Sequence, residues 1–328
     1  MWKGESDVKP YIADMVDDLV ARGIAHESQG ALVVEVAEEK DTKELPPCIV
    51  RKSDGAAIYA TSDLATILDR EKLYHPDHYI YLADKRQELH FTQVFRTARK
   101  AGYVEPDTRM DYIGFGTMNG KDGKPFKTRQ GGVMRLEYLL KEVEDAVYAK
   151  IQENRTMDET QARATAKVVG LAAVKYGDLS NQASKDYIFD VERFASFEGN
   201  TGPYILYTVV RIKSILAKYK EQGGSEPDTG ALAGRTEREY SAAETDLMLS
   251  ASRFADVVEK AAEELAPHRV CQYIYELSNA FNSFYHENRI LVEEDSGKQV
   301  QWIALIALVL RILGVCTDLL GFEVPDRM

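Results

Sequence analysis

The sequence predicts an α/β half followed by an all-α half: part of a doubly wound parallel sheet, then a bundle of helices. Two observations carry this. Between residues 56 and 115 short apolar runs of strand type alternate with amphipathic runs of helix type, and after about residue 135 only the helical period recurs. A chain of 328 residues also exceeds what one core usually holds, so about two domains are expected. The expected division is 1–150 for the α/β domain, 151–198 for a connecting helical stem and 199–328 for the helical domain.

In chain order, DVKPYIADMVDDLVARG places Ile12, Met15, Val16, Leu19 and Val20 on one stripe and stops at Gly23. Ser28-Gln29-Gly30 turns the chain into ALVVEV, and Ser53-Asp54-Gly55 joins CIVRK to AAIYA. Strand AAIYA (56–60) then leads into helix SDLATILDREKL, with Thr61 as N-cap. Strand YIYLA (79–83) leads into helix QELHFTQVFRTARKAG, ended by Gly102, and strand DYIGF (111–115) leads into a loop of glycines and lysines. This βαβαβ pattern is one half of a doubly wound sheet, a fold that binds ligands at the carboxyl edge of its strands. Farther on, Thr156 and Glu159 have capping-box spacing and open a helix with Ala162, Ala166, Val169, Ala173 and Tyr176 on one face. Thr201-Gly202-Pro203 opens another, which Gly223-Gly224 closes; residues 223–239 form a polar loop, and helices are expected over 240–265, 268–290 and 299–320.

Composition narrows the function classes. Hydrophobic content of 45% and charged content of 29% are those of a soluble globular chain. A balance of 41 basic against 53 acidic residues argues against non-specific coating of nucleic acid, yet leaves room for a localised basic track. Cys48, Cys271 and Cys316 stand singly, which indicates neither a metal site nor a disulfide framework and fits a reducing cytoplasm. Residues 302–322 look like a membrane span, but Arg311 and Asp318 interrupt the run, so a buried helix is expected and no membrane partner.

The most pointed chemistry lies in DYIGFGTMNGKDGKPFKTRQGGVM, residues 111–134. Gly114, Gly116, Gly120 and Gly123 let backbone N–H groups approach a ligand, and Lys121, Lys124, Lys127 and Arg129 supply positive charge suited to polyphosphate. A solvated hairpin tip is the alternative. Tyr59, Asp63 in the first turn of its helix, and Gln87 at the end of the next strand converge on the carboxyl edge, where an acid, a phenol and an amide suit a guanidinium or amine. The other reading is that Asp63 starts the helix and Tyr59 packs. His75-Pro76-Asp77-His78 is a turn, on the edge opposite the crevice. On the Pro203 helix, Ile205, Val209, Ile212 and Leu216 form the buried stripe, while Tyr204, Tyr207, Arg211 and Lys218 form a face that is either an ordinary solvated surface or one that stacks bases and grips phosphates.

Taken in order, SDGAAIYATSDLA, YLADKRQELHFTQVF, GKDGKPFKTRQGG, EGNTGPYILYTVVRIKSIL and LGFEVPDRM closely resemble arginyl-tRNA synthetase, a class I enzyme with a Rossmann-type catalytic domain. The resemblance implies an arginine–tRNA ligase that uses ATP with Mg2+, binds arginine through Tyr59, Asp63 and Gln87, and carries Lys124 and Lys127 where class I enzymes place a Lys-Met-Ser-Lys-Ser loop. Gly114, Gly116 and Thr128 join those lysines at the ATP, and the helical domain corresponds to an anticodon-binding domain for tRNA-Arg, with Tyr204, Tyr207, Arg211 and Lys218 on its RNA face. Pro125 and Phe126 depart from the family loop, and the His-Ile-Gly-His segment is absent. The chain is therefore expected to be the C-terminal portion of such an enzyme, with negligible activity alone, a monomeric parent and an exposed sheet edge prone to self-association. Two alternatives remain: a non-catalytic tRNA-binding or regulatory module, and an unrelated dinucleotide enzyme, against which no G-x-G-x-x-G opens a helix.

Overall fold

The computed structural model describes residues 2–124, 135–153, 157–228, 230 and 238–328, which fall into two units, Met1–Gly116 and Thr117–Met328. In the first, a short 3₁₀ turn, Glu5–Val8, leads into α1, Lys9–Ala21, whose Pro10 has the fixed φ that a first turn accepts. Met15, Val16 and Leu19 bury one face of α1. Val20, expected on that stripe, is 42% exposed because the residue after Leu19 rotates off the buried face. The strands β1 (His26–Ser28), β2 (Ala31–Val34) and β3 (Cys48–Arg51) form an antiparallel sheet in that order. Gln29 and Gly30 take φ of 50° and 79°, the left-handed pair that a tight hairpin turn requires.

The expected strand at 56–60 does not form. Helix α2 spans Tyr59–Tyr74, so Tyr59 is its first residue and Ile58, not Thr61, its N-cap. The Thr61 hydroxyl accepts from the Ile58 backbone N–H at 3.1 Å and donates to the Val50 carbonyl at 2.7 Å, which draws the helix start back onto β3. The parallel sheet therefore contains two strands rather than three: β4 (His78–Asp84) and β5 (Arg109–Phe115), in register with Tyr81 opposite Tyr112. Between them run a 3₁₀ turn, Lys85–Gln87, and α3, Glu88–Lys100. His75 caps α2 in the left-handed region at φ 45° and His78 begins β4, so the His-Pro-Asp-His segment is a turn as expected. Leu64, Ile67, Tyr79, Val94 and Ala98 pack with Met15, Leu19, Val34 and Val50 into one core. Each fully buried aliphatic side chain there contributes about 1.5–3 kcal/mol.

The second unit contains strands that the sequence did not suggest: β6 (Met118–Asn119) pairs in parallel with β7 (Tyr187–Ile188). It also contains an unanticipated helix, α4 (Leu136–Glu153), although Leu139, Val143, Val147 and Ile151 recur at a spacing that puts them on one buried face. Helix α5 spans Glu159–Leu179 and buries Ala162, Ala166, Val169, Ala173 and Tyr176 as expected; its N-cap is Asp158, which accepts from Gln161 N–H, while Thr156 lies outside the described residues. A Cβ on Gly170 would stand 3.0 Å from the Glu144 Cα, so this glycine lets α4 and α5 approach closely. A short helix, α6 (Val191–Phe194), precedes α7 (Gly202–Glu221), whose Thr201 hydroxyl accepts from Tyr204 N–H. The helix expected over 240–265 is broken at Arg253 into α8 (Ala242–Ser252) and α9 (Phe254–Glu263). Helices α10 (Pro267–Glu287) and α11 (Ser296–Leu319) follow. By length and composition α11 could cross a membrane, but Trp302, Ile303, Ile306, Val309 and Leu313 all lie inside the core, which makes it a core helix here.

Candidate functional site

The strand-to-helix junctions of the first unit bring α2 and α3 together at the carboxyl end of β4. Asp63 lies in the second turn of α2, not the first, one helical turn beyond Tyr59 on the same face. Its Oδ2 is 2.6 Å from Nε2 of His90 in the first turn of α3, and both side chains are partly shielded from solvent. Among the described residues no lysine or arginine nitrogen pairs with Asp63; His90 is its one partner. Tyr59 is 76% exposed and Gln87, the N-cap position of α3, is exposed as well. Among the described residues the Gln87 side chain has no hydrogen-bond partner, while its backbone hydrogen-bonds the Tyr112 hydroxyl, which itself donates to the Asp84 carbonyl. Asp84 is bound by Arg86 through Nε at 2.8 Å and Nη2 at 2.7 Å, which, with the Arg86 backbone N–H, holds its carboxyl down at about 2.

Gly114 on β5 has a structural reason to be glycine: a Cβ there would stand 2.8 Å from the Lys85 Cα. That contact seats the 85–87 turn against the strand. Gly116 closes the first unit.

In the second unit, the stem of the lysine loop is fastened to residues 186–190. Thr117 N–H donates to Asp186, Tyr187 N–H to the Thr117 carbonyl, and Phe189 N–H to the Asn119 carbonyl at 2.8 Å. At the tip, Gly123 takes φ 73° and Gly120 N–H donates to the Lys124 carbonyl. Lys121 is committed to Asp190 at 3.2 Å and Glu192 at 3.8 Å, which raises its pKa. Lys124 is exposed; its backbone N–H donates to the Asp122 carboxylate at 3.1 Å, and among the described residues its ammonium forms no ion pair. Lys127, Thr128 and Arg129 lie outside the described residues.

The helical unit carries a groove of about 520 Å³ lined by Tyr207, Arg211 and Lys218 of α7 together with Tyr285, His286 and Arg289. The Arg211 guanidinium lies 4.7 Å from the Tyr207 ring centre and 5.4 Å from that of Tyr285, and donates to Asn282 at 2.8 Å. An arginine held between two phenols, beside a lysine, can stack a base and meet a phosphate. Tyr204 does not join this face. It is half-buried, donates to Asn279 at 2.6 Å and accepts from Asn282 at 2.9 Å, so it braces the groove from behind.

Residues 1–191 match the family described as tRNA synthetases class I (R), catalytic domain. The chain belongs to that class I (R) synthetase family. Residues 205–328 match the DALR anticodon binding domain, so the groove lies within the anticodon-domain part of the synthetase chain. An arginine–tRNA ligase of Agathobacter rectalis is 59% identical over 334 residues, and one of Alkaliphilus oremlandii 51% over 328; each match covers 100% of this chain and 55% of the relative. The chain thus spans about half the length of the curated synthetases it matches. Among solved structures, the arginyl-tRNA synthetase of Plasmodium falciparum superposes with a TM-score of 0.82 at 22% identity, over 100% of this chain and 54% of its own. That of Thermus thermophilus gives 0.79 at 22% identity, over 97% and 58%. Both likenesses establish the synthetase fold.

Sequence reasoning passed over His90 within QELHFTQVF, although its spacing of one turn from Gln87 on an amphipathic helix was available as a signal. Arg289 was missed too, because it follows the end of α10 and belongs to no periodic face.

Proposed function

We propose that this chain is the arginine-, ATP- and tRNA-contacting portion of an arginine–tRNA ligase located in the cytoplasm. Asp63 pairs with the guanidinium of free arginine, flanked by Tyr59 and Gln87. Lys124 and Lys127, with Gly114, Gly116 and Thr128, meet the phosphates of ATP, and the α7 groove holds tRNA-Arg through Tyr207, Arg211 and Lys218, with Tyr204 behind it. Mg2+ enters as the counter-ion of ATP, and no residue is assigned to it. An oxygen of the arginine carboxylate attacks the α-phosphorus, forming arginyl-adenylate and expelling pyrophosphate; a terminal ribose hydroxyl of the tRNA then attacks the acyl carbon and releases AMP. Fixed cations and positioning do most of this work, because they meet charge that develops on the phosphates. The domains of this reading are 1–150, 151–198 and 199–328.

The observation that supports this reading best is the geometry of Asp63: a carboxyl group at the carboxyl end of β4 with a side-chain partner on one oxygen and, among the described residues, no lysine or arginine paired with it. A planar cation is the ligand that such a group fits. The test uses a hybrid in which this chain replaces the matching 55% of the Agathobacter rectalis ligase. Asp63→Ala is expected to raise the arginine KM in arginine-dependent pyrophosphate exchange about 100-fold or more, on the order of 3 kcal/mol, with the ATP KM unchanged. An unaltered arginine KM would remove the assignment.

A further inference from the structure

We propose that His90 is a positioning residue for the arginine site: it holds one oxygen of Asp63 so that the other is presented to the guanidinium. This inference rests on the assignment of Asp63 to arginine. An ionised carboxylate has only acceptors, so the 2.6 Å contact between Asp63 Oδ2 and His90 Nε2 places the N–H on the imidazole. Asp63 Oδ1 has no hydrogen-bond partner among the described residues, and the side chain retains 29% of its exposure, so that oxygen is open to a ligand.

His90 is itself firmly placed. The next residue, Phe91, packs its ring 5.0 Å from that of Tyr81 on β4 and 5.1 Å from that of Tyr112 on β5, which fixes the first turn of α3 over the sheet. A carboxylate anchored through such a donor has less rotamer freedom to lose when the guanidinium arrives.

The chemical type of the donor matters as much as its position. Tyr81 and Arg70 belong to the same cluster: Tyr81 is pushed up to about 12 by burial, Arg70 opposes that shift and the charge of Asp63 adds to it. Arg70 is engaged with the Tyr81 ring at 5.6 Å and its hydroxyl at 3.5 Å. Neither cancels the charge of Asp63 by an ion pair. A lysine or arginine in place of His90 would orient the carboxylate equally well but would neutralise it and repel the substrate cation. A donor without a fixed positive charge orients the carboxylate and leaves its free oxygen to the ligand.

The hybrid with the Agathobacter rectalis ligase is made with His90→Gln, His90→Ala, His90→Lys and, as reference, Asp63→Ala, and the KM values for arginine and ATP and the kcat of pyrophosphate exchange are measured. His90→Ala is expected to raise the arginine KM about tenfold, with the ATP KM unchanged. His90→Gln, which keeps an N–H donor, should return it to within about threefold of the starting hybrid. His90→Lys should raise it about 100-fold, approaching Asp63→Ala. Should the hybrid prove inactive, saturation-transfer NMR of arginine with the 328-residue chain ranks the same variants. If Asp63→Ala weakens arginine while His90→Ala does not, or if glutamine is no better than alanine, the positioning role is wrong and the site stands. If Asp63→Ala has no effect, the site itself is wrong and the role of His90 falls with it.

Discussion

Glu244 is 2% exposed, yet it stays charged because every neighbour that reaches it donates. It accepts from Arg238 at 3.1 Å, from Ser241 N–H at 2.9 Å and from the Trp302 indole, and its own N–H donates to the Ser241 hydroxyl, completing a capping box at the start of α8. Burial pushes its carboxyl up, but the Arg238 guanidinium, the Ser241 N–H and the Trp302 N–H outweigh that and hold it below the usual 4.5. A carboxyl that binds its proton less readily when folded adds stability above its unfolded pKa, and that stability is lost as pH falls through the lowered folded value. The urea midpoint of the chain should therefore decline below pH 4.5 in a part that depends on Glu244. Glu244→Gln is expected to cost about 1–3 kcal/mol at neutral pH and to flatten that part of the acid limb. A variant with the wild-type acid slope would show that the carboxylate is not the group responsible.

At the scale of elements, α7 has two unlike faces. Ile205, Val209 and Ile212 are buried in the helical core, whereas Tyr207 and Lys218 are exposed on the groove side and Arg211 lies between two phenol rings. Because the groove side carries little of the packing, Arg211→Ala and Lys218→Ala should leave the thermal midpoint nearly unchanged while weakening tRNA. In filter binding, each removed phosphate contact is expected to lower the slope of log affinity against log salt by about 0.7–0.9. Loss of a stacked base would cost about 1–3 kcal/mol more. Wild-type affinity and salt slope in both variants would exclude this face as the RNA contact.

At the scale of the whole molecule, a parallel sheet is normally covered on both faces, and the β4–β5 sheet is not. Tyr79 is buried, but Ile80 is 51% and Leu82 65% exposed on the opposite face, and Phe115 is 43% exposed at the end of β5. We infer that this apolar surface and the sheet edge beside it drive self-association of the chain. Sedimentation velocity should show concentration-dependent association that Leu82→Asp abolishes. Equal association of the two proteins would place the contact elsewhere.

What the sequence determined by itself was whatever depends on neighbours within a turn or two. The buried stripes of α5 and α7, the Thr201 cap, the Gln29-Gly30 hairpin and the turn at His75 were all readable, because period, capping and left-handed φ are local properties. The same locality made Tyr59, Asp63 and the lysine loop visible as candidates, and the order of five motifs made the family visible. Tertiary structure decided the rest through bonds between distant residues. Thr61 reaches back to the Val50 carbonyl and converts an expected strand into the start of α2. Paired segments as short as β6 and β7 have no period to read, and their ladder exists only because the folded chain brings residues 118 and 187 together. The pairing of Asp63 with His90 likewise depends on packing α2 beside α3, a contact that no local pattern encodes.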